Sequence, residues 1–319
     1  MNLRIGSRGS QLALWQSNHI AALLRARGHS VEIEIIKTTG DRLQEISFAQ
    51  VDSKGMFTKE IEEALIEGRI DLAVHSLKDL PTGLPEPFAL AATPLRADPR
   101  DVFVSVDYAN LSVLPQGARV GTSSSRRRAQ LKALRPDLEA VEFRGNVDTR
   151  LRKLADGQVD AILLAAAGLD RLEKTEWLRE RLDPKDFCPA PGQGALGIEA
   201  RKDDSATITA VEFLDDTSTR FAVTAERAAL AALGGGCQVP IGIYCRVSPV
   251  NEWDTASVVG PKDEIFAAVA NPETGATVRI YHRAPRSDSD PVTLGLLAAH
   301  MLLEAGAGPL LQASGGAQR

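Results

Sequence analysis

The sequence predicts an α/β protein of two related α/β lobes joined by a hinge, followed by a third domain of α+β character. An internal duplication is the first observation behind this. Arg4-Ile-Gly-Ser-Arg-Gly-Ser-Gln-Leu-Ala-Leu14 is echoed by Arg119-Val-Gly-Thr-Ser-Ser-Ser-Arg-Arg-Arg-Ala-Gln-Leu131, and Glu67-Gly-Arg-Ile-Asp-Leu-Ala-Val74 by Asp156-Gly-Gln-Val-Asp-Ala-Ile-Leu163. The second is the alternation of strands with helices, which implies parallel sheets assembled from βαβ units. The third is a change of pattern near Arg220, where an alanine-rich helix leads to a glycine loop and alternating strand-like runs. Together they place the first lobe at 1–94 plus 195–214, the second at 100–189 and the third domain at 218–319.

In chain order, Arg4 to Gly6 read as a short strand, then a Gly-Ser turn, then a helix. A glycine stop at Gly68 precedes the buried strand Ile70 to Val74. The proline-containing stretch Ala91 to Arg100 leaves the first lobe. Residues 119–131 repeat the strand, turn and helix, and Phe143 to Arg150 form a second site of that kind. Asp186 to Ala195, rich in proline and glycine, returns the chain to the first lobe, where Leu196 to Glu199 form a strand with a helix after it. The third domain opens with a helix from Ala222 to Leu233. Strands follow at Ile241 to Val247, Ala256 to Val259 and Thr277 to Tyr281, and Leu294 to Leu303 read as a closing, buried helix. In sheets of this kind ligands bind beyond the carboxyl ends of strands, against helix N-termini, and the repeated Gly-Ser/Thr turns fall there.

A hydrophobic content of 44% with 25% charged residues fits a soluble globular chain. No charged n-region and apolar h-region precede Arg4, and the run Val292 to Leu303 is too short to span a bilayer, so a cytoplasmic, membrane-free protein is expected. Cys188, Cys237 and Cys245, odd in number and widely spaced, make neither a disulfide framework nor a zinc pattern. The net charge is −5, yet Arg119 to Arg152 hold eight arginines and Lys132 against Asp137, Glu139, Glu142 and Asp148, a local balance of +5. A basic segment in an acidic chain marks a bound anion or a solvated helix face. Aromatic residues are only 5%, which argues against nucleic acid and for a small anion.

Cys237 sits in Leu233-Gly-Gly-Gly-Cys-Gln-Val-Pro-Ile-Gly242. The glycines remove every side chain before the thiol, so something bulky has room to approach it, and Pro240 with Gly242 ends the loop in a turn. A free cysteine beside a tight turn is the plainer reading; a thiol held out for covalent use is the functional one. In Leu72-Ala-Val-His-Ser-Leu-Lys-Asp-Leu-Pro81 the strand ends at His75 or Ser76, and Lys78 and Asp79 occupy the loop beyond it. They are either a solvated ion pair or a carboxylate held in the interlobe cleft. His75 falls on the buried side and reads as structural. Thr122, Ser123, Ser124 and Ser125 supply hydroxyls and N–H groups at a helix start, followed at once by Arg126, Arg127 and Arg128, while Arg144 and Arg150 flank the later turn. Arginine forks pair bidentately with carboxylates, so this set suits a ligand bearing many of them.

Seven motifs in order resemble one family along nearly the whole chain. They are Ser7-Arg-Gly-Ser-Gln-Leu-Ala-Leu-Trp-Gln16, Lys54-Gly-Met-Phe-Thr-Lys-Glu60, Ala73-Val-His-Ser-Leu-Lys-Asp-Leu-Pro81, Val120-Gly-Thr-Ser-Ser-Ser-Arg-Arg127, Phe143-Arg-Gly-Asn-Val-Asp-Thr-Arg150, Pro191-Gly-Gln-Gly-Ala195 and Gly235-Gly-Cys-Gln-Val-Pro240. The family is porphobilinogen deaminase, also called hydroxymethylbilane synthase. The resemblance implies two lobes like periplasmic anion-binding proteins plus a third domain. It also implies head-to-tail condensation of four porphobilinogen molecules into a linear tetrapyrrole with loss of ammonia, on a dipyrromethane cofactor bound by thioether to Cys237. By the same resemblance Asp79 is catalytic. Lys78, Asp79, Thr122, Ser123, Ser124, Arg126, Arg127, Arg144, Gly145, Arg150 and Gln193 hold the cofactor, and Arg8, Ser10, Lys54, Arg144, Arg150 and Arg171 the substrate. A monomer free of metal and nucleic acid is expected.

The chemistry agrees with the residues. Loss of ammonia leaves a cationic pyrrole, which a fixed carboxylate near its N–H stabilises more than the neutral ground state. Gln50 departs from the family, whose members often carry lysine there, within residues 40–55 that read as a lid. A non-catalytic two-lobed anion-binding or sensing protein is the alternative, but it leaves Cys237 and the third domain without a task. A thiol acyltransferase would need a histidine near the cysteine loop.

Overall fold

A computed structural model describes residues 1–39, 58–235, 239–247, 262–285 and 290–313. Among these residues the strands form three sheets. In the first, the spatial order is β2 (Ser30–Ile35), β1 (Asn2–Ser7), β3 (Leu72–Ser76), β10 (Leu196–Arg201), β4 (Phe88–Ala92). Strand β1 runs parallel to β2 and β3, whereas β10 is antiparallel to β3 and β4. In the second, the order is β7 (Glu139–Val141), β6 (Arg119–Gly121), β8 (Ala161–Ala165), β5 (Asp101–Val104), β9 (Leu178–Arg181), with the same succession of parallel and antiparallel pairs. The repeat seen in the sequence is therefore a repeat of topology. The antiparallel strand in each sheet is the one that arrives from the other lobe: β5 enters directly after the first crossing and β10 directly after the second.

Helices cover these sheets on both faces, so the strands read as continuous apolar runs. In the second lobe Phe103 and Leu163 pack on one face with Val120 and Leu131, while Val102, Val104, Ile162 and Leu164 pack on the other. That is the two-residue alternation of a strand buried on both sides. The helices of the lobes are α1 (Gln11–Ala26), α2 (Lys59–Ile66), α3 (Ser125–Leu134), α4 (Val147–Ala155), α5 (Ala166–Arg171) and α6 (Ser205–Val211).

The two crossings brace each other. Ala97 N donates to the Gly194 carbonyl at 3.2 Å, and Gln193 Nε2 donates to the Pro99 carbonyl at 2.8 Å. Gly194 has φ +85°, and a Cβ there would lie 2.5 Å from the Ala97 oxygen, so only glycine admits this approach.

The third sheet is antiparallel, β11 (Ile241–Arg246), β12 (Lys262–Ala270) and β13 (Thr277–Pro285). Helices α7 (Thr217–Ala232) and α8 (Pro291–Glu304), with α9 (Ala307–Ala313) after them, pack on one face of it. Glu226 of α7 is wholly buried and joins this domain to both crossings. It accepts two hydrogen bonds from Arg96 at 2.6 and 3.0 Å, one from Gly192 N at 2.6 Å and one from Cys245 N at 2.8 Å.

Some expectations for this domain need correction. Strand β12 escaped the sequence reading because both its faces are covered, which removes the alternation that signals a strand. Gly242 lies in β11, not in a turn, and its missing Cβ admits the Cys188 carbonyl, which would stand 2.6 Å from it. The closing helix is only half buried, since Val292, Leu296 and Leu303 face solvent. The expected strand Ala256 to Val259 lies outside the described residues, as do the lid at 40–55 with Gln50 and Lys54, and Cys237. No single described helix is long and apolar enough to cross a membrane.

Candidate active site

A cavity of about 310 Å³ opens between the two lobes. Arg8, Ser10 and Lys78 line it from the first lobe, and Ser123, Arg127, Arg144, Gly145 and Arg150 from the second. Its walls are built where strands end and helices begin. Ser10 caps α1, its hydroxyl accepting from Ala13 N at 3.3 Å. Asn146 caps α4 by accepting from Thr149 N at 2.9 Å, and Ser124 caps α3 by accepting from Arg127 N at 3.4 Å. Helix N-termini carry partial positive charge and unpaired N–H groups, so the backbone here favours anions before any side chain is counted. The side chains add to it. Asp148 is the acidic residue among the described residues of the wall, and Lys174 pairs with it at 2.7 Å.

The arginines divide into two groups. Arg126 and Arg127 are buried, and both turn their guanidinium groups to Asp101, the fully buried first residue of β5. Arg126 donates to Asp101 at 2.6 and 3.2 Å and to the Cys188 carbonyl at 2.7 Å. Arg127 donates to Asp101 at 2.9 and 2.7 Å and to the Leu163 carbonyl at 2.9 Å. Gln193 Nε2 adds a further bond at 3.0 Å. Burial pushes the Asp101 carboxyl up, but Arg126 and Arg127 outweigh it and hold the group well below the usual carboxylate range.

Arg150 belongs to the second group. Its Nε donates to the Gly145 carbonyl at 2.8 Å, while its terminal nitrogens have no partner among the described residues. Burial, reinforced by the charge of Arg127, brings its pKa down to about 10. Arg144 shares Glu142 with Arg128, at 2.5 and 3.0 Å.

Lys78 and Asp79 occupy a single 3-10 turn, Leu77–Asp79, directly after β3. The Lys78 side chain is half-buried, but its ammonium is closely surrounded and donates to Gln193 Oε1 at 3.4 Å. Burial lowers its pKa to about 8, with Arg127 and Arg126 adding to that and Asp79 and Asp101 opposing it. Asp79 is exposed and accepts no hydrogen bond from a described residue. His75 is buried and bonds Glu199 at 2.9 Å.

The cavity thus gathers Arg8, Ser10, Lys78, Ser123, Arg127, Arg144, Gly145 and Arg150. Thr122, Ser124, Arg126 and Gln193 stand behind its wall. Thr122 Oγ1 accepts from Ser124 N at 3.2 Å, and Ser123 Oγ donates to the Phe143 carbonyl at 2.7 Å, so these hydroxyls hold the turns in shape. Arg171 lies at the crossings, where it donates to the Gly194 carbonyl at 2.7 Å and stacks 5.9 Å from the Trp15 ring; burial lowers its pKa to about 10. Sequence reasoning missed Asp101, Asn146 and Glu142. Asp101 had one available signal, a charged residue opening the otherwise apolar run Val102-Phe-Val104.

Fold and site together define a two-lobed protein with a cationic interlobe cleft, joined to a smaller domain. The sequence profile described as "Porphobilinogen deaminase, dipyromethane cofactor binding domain" matches residues 3–209, and that of the "Porphobilinogen deaminase, C-terminal domain" matches residues 220–304. The porphobilinogen deaminase of Trichlorobacter lovleyi is 50% identical over 97% of this chain and 96% of its own. That of Roseiflexus sp. is 48% identical over 97% of this chain and 98% of its own. The chain belongs to the porphobilinogen deaminase family, and its lobes form that family's dipyrromethane cofactor-binding domain. A solved periplasmic VFT2 domain of BvgS from Bordetella pertussis aligns with 66% of this chain and 85% of its own at 14% identity and a TM-score of 0.40, a likeness too slight to carry an argument.

Proposed function

We propose that this chain joins four porphobilinogen molecules head to tail into hydroxymethylbilane, releasing ammonia at each condensation, on a dipyrromethane group attached by thioether to Cys237. The observation that carries this reading is the cleft wall, where Arg8, Lys78, Arg127, Arg144 and Arg150 gather and Asp148 is the one acidic residue among the described residues that line it, although Arg127 and Arg144 also reach Asp101 and Glu142 behind it. Each ring of cofactor and product bears acetate and propionate, so the growing chain accumulates negative charge. The terminal nitrogens of Arg150, without a partner among the described residues, and three helix N-termini fit such a ligand. When bound, dipyrromethane supplies the pyrrole carbon to which the next ring is joined.

The residues of the chain then take distinct tasks. Arg8, Arg144 and Arg150 bind carboxylates. Asp79, with no hydrogen bond of its own from a described residue, offers its carboxylate to a pyrrole N–H and stabilises the positive charge that grows as ammonia leaves. Lys78, its pKa lowered by burial to about 8, still carries its proton in most molecules at neutral pH and donates to the ligand's carboxylates. Arg126, Arg127, Gln193 and Thr122 position the wall through Asp101 and the turn. Ser10, Ser123, Ser124, Gly145, Arg171 and Lys54 complete the proposed binding set.

The units we propose are 1–94 with 195–214, 100–189 and 218–319. A cytoplasmic monomer is part of the proposal, as is the lack of a nucleic-acid partner, which positive charge gathered in one small cleft of a chain of net charge −5 supports.

Intact mass tests the attachment. Purified protein should exceed its sequence mass by two deaminated substrate units, and Cys237→Ser should remove the excess while Cys188→Ala and Cys245→Ala keep it. Single-turnover condensation tests Asp79: cofactor-loaded Asp79→Asn should lose most turnover. An unmodified, fully active protein, or near wild-type condensation by loaded Asp79→Asn, would sink the respective assignment.

A further inference from the structure

We propose that a second cavity, between the third domain's sheet and the second crossing, is a binding site for a small planar aromatic carboxylate. The register of β12 and β13 sets Phe266 opposite Tyr281 and Ala268 opposite Arg279. Alternate residues share a face, so these four look away from the helices, against which Ile265, Ala267 and Val269 pack. Pro184 and Lys185, just before the crossing, and Cys188 within it form the facing wall, and the space between is about 410 Å³. Phe266 and Tyr281 make its aromatic side, ring centroids 4.9 Å apart at 34°.

Arg279 specifies the charge of the occupant. Its guanidinium is partly buried, yet among the described residues it donates one hydrogen bond, to the Lys185 carbonyl at 3.3 Å, and forms no ion pair. The charge of Asp186 reaches Arg279 only from beyond ion-pair distance, so the partly desolvated cation lacks a direct counter-ion among the described residues, and a carboxylate arriving in the plane of the fork relieves the cost of that desolvation. Lys185, exposed at the rim, adds a second cation. Aromatic wall and unpaired fork together select a flat apolar body with one acidic group. Such an occupant lies one residue from the Asp101 cluster, because the Cys188 carbonyl that accepts from Arg126 belongs to this wall.

Naphthoate titrated into the full-length protein by calorimetry is the probe, with neutral naphthylmethanol in parallel. Saturable binding of naphthoate should weaken about tenfold or more in Arg279→Met and in Tyr281→Ala, and the alcohol should bind more weakly by a similar factor. Arg150→Met, in the interlobe cleft, should bind naphthoate as the wild type does. The proposal is overturned by absence of saturable binding, by equal binding of the alcohol, or by a loss in Arg150→Met that Tyr281→Ala does not share. Should Arg279→Met fail to fold, Tyr281→Ala and the alcohol decide between these outcomes.

Discussion

Replacing Asp101 with asparagine keeps the shape of the side chain and removes the charge that two buried arginines share. Asp101 is fully buried and accepts two hydrogen bonds from Arg126, two from Arg127 and one from Gln193. An amide has one acceptor oxygen, and its NH2 group would face guanidinium donors, so two cations would remain buried without an anion. Removing one partner of a buried ion pair costs about 3–5 kcal/mol, and that is the loss expected for Asp101→Asn in urea unfolding followed by circular dichroism. The pH dependence gives an independent check. The folded carboxyl titrates well below its unfolded value, so its contribution is complete above about pH 4 and is lost as pH falls towards the depressed folded value. Asp101→Asn has no such group, and the gap between the two proteins should narrow below about pH 4. A gap under about 1 kcal/mol at pH 7, or one that stays constant down to pH 3, would refute the account of Asp101 as the anchor of both arginines.

Three further outcomes are expected. Arg150→Leu should leave the unfolding midpoint unchanged or raised, because the residue is desolvated without a carboxylate partner, yet should bind cofactor and chain carboxylates about 10- to 100-fold more weakly; adduct occupancy by mass and urea melts read the two effects separately. Gly194→Ala should destabilise the fold by about 1–3 kcal/mol in urea unfolding, since φ is +85° and the new methyl would meet the Ala97 carbonyl at 2.5 Å. Burial pushes the Cys188 thiol up to about 12, and Cys245 is equally buried. Iodoacetamide at pH 8 should therefore label Cys237 in cofactor-free protein and leave the other two unmodified, as peptide mapping would check.

Much of the architecture was written in local pattern. The Gly-Ser/Thr turns at Ser7–Ser10 and Gly121–Ser124 recur because each must let a strand end and a helix begin, and β1–α1 and β6–α3 are the result. Strand β12 was illegible for the opposite reason. With helices against one face and Cys188 against the other, no residue from Ile265 to Ala270 has reason to be polar, and alanine-rich sequence without alternation carries no strand signal. Gly242 misled for a related reason: glycine signals a turn when read locally, whereas here it answers to a neighbour more than fifty residues earlier in the chain.

The candidate site shows the same limit at finer grain. Arg126, Arg127, Arg144 and Arg150 are hard to tell apart in sequence, since each lies beside a polar turn at a helix start. What separates them is Asp101, which comes into reach only because the first crossing delivers β5 as the antiparallel strand beside β8. Arg126 and Arg127 point to that carboxylate from the first turn of α3, while Arg150, on α4, makes no ion pair with a described residue. A positive segment in sequence thus contains one part that shapes the wall and another left for a ligand. The division follows from topology: a lobe folded without the crossing would have no Asp101, and all four guanidinium groups would then compete for the same carboxylates. That the anchor arrives on the strand linking the lobes means the geometry of the cleft and the path between lobes are set by one residue, which is why Asp101→Asn should disturb stability and binding together while Arg150→Leu disturbs binding alone.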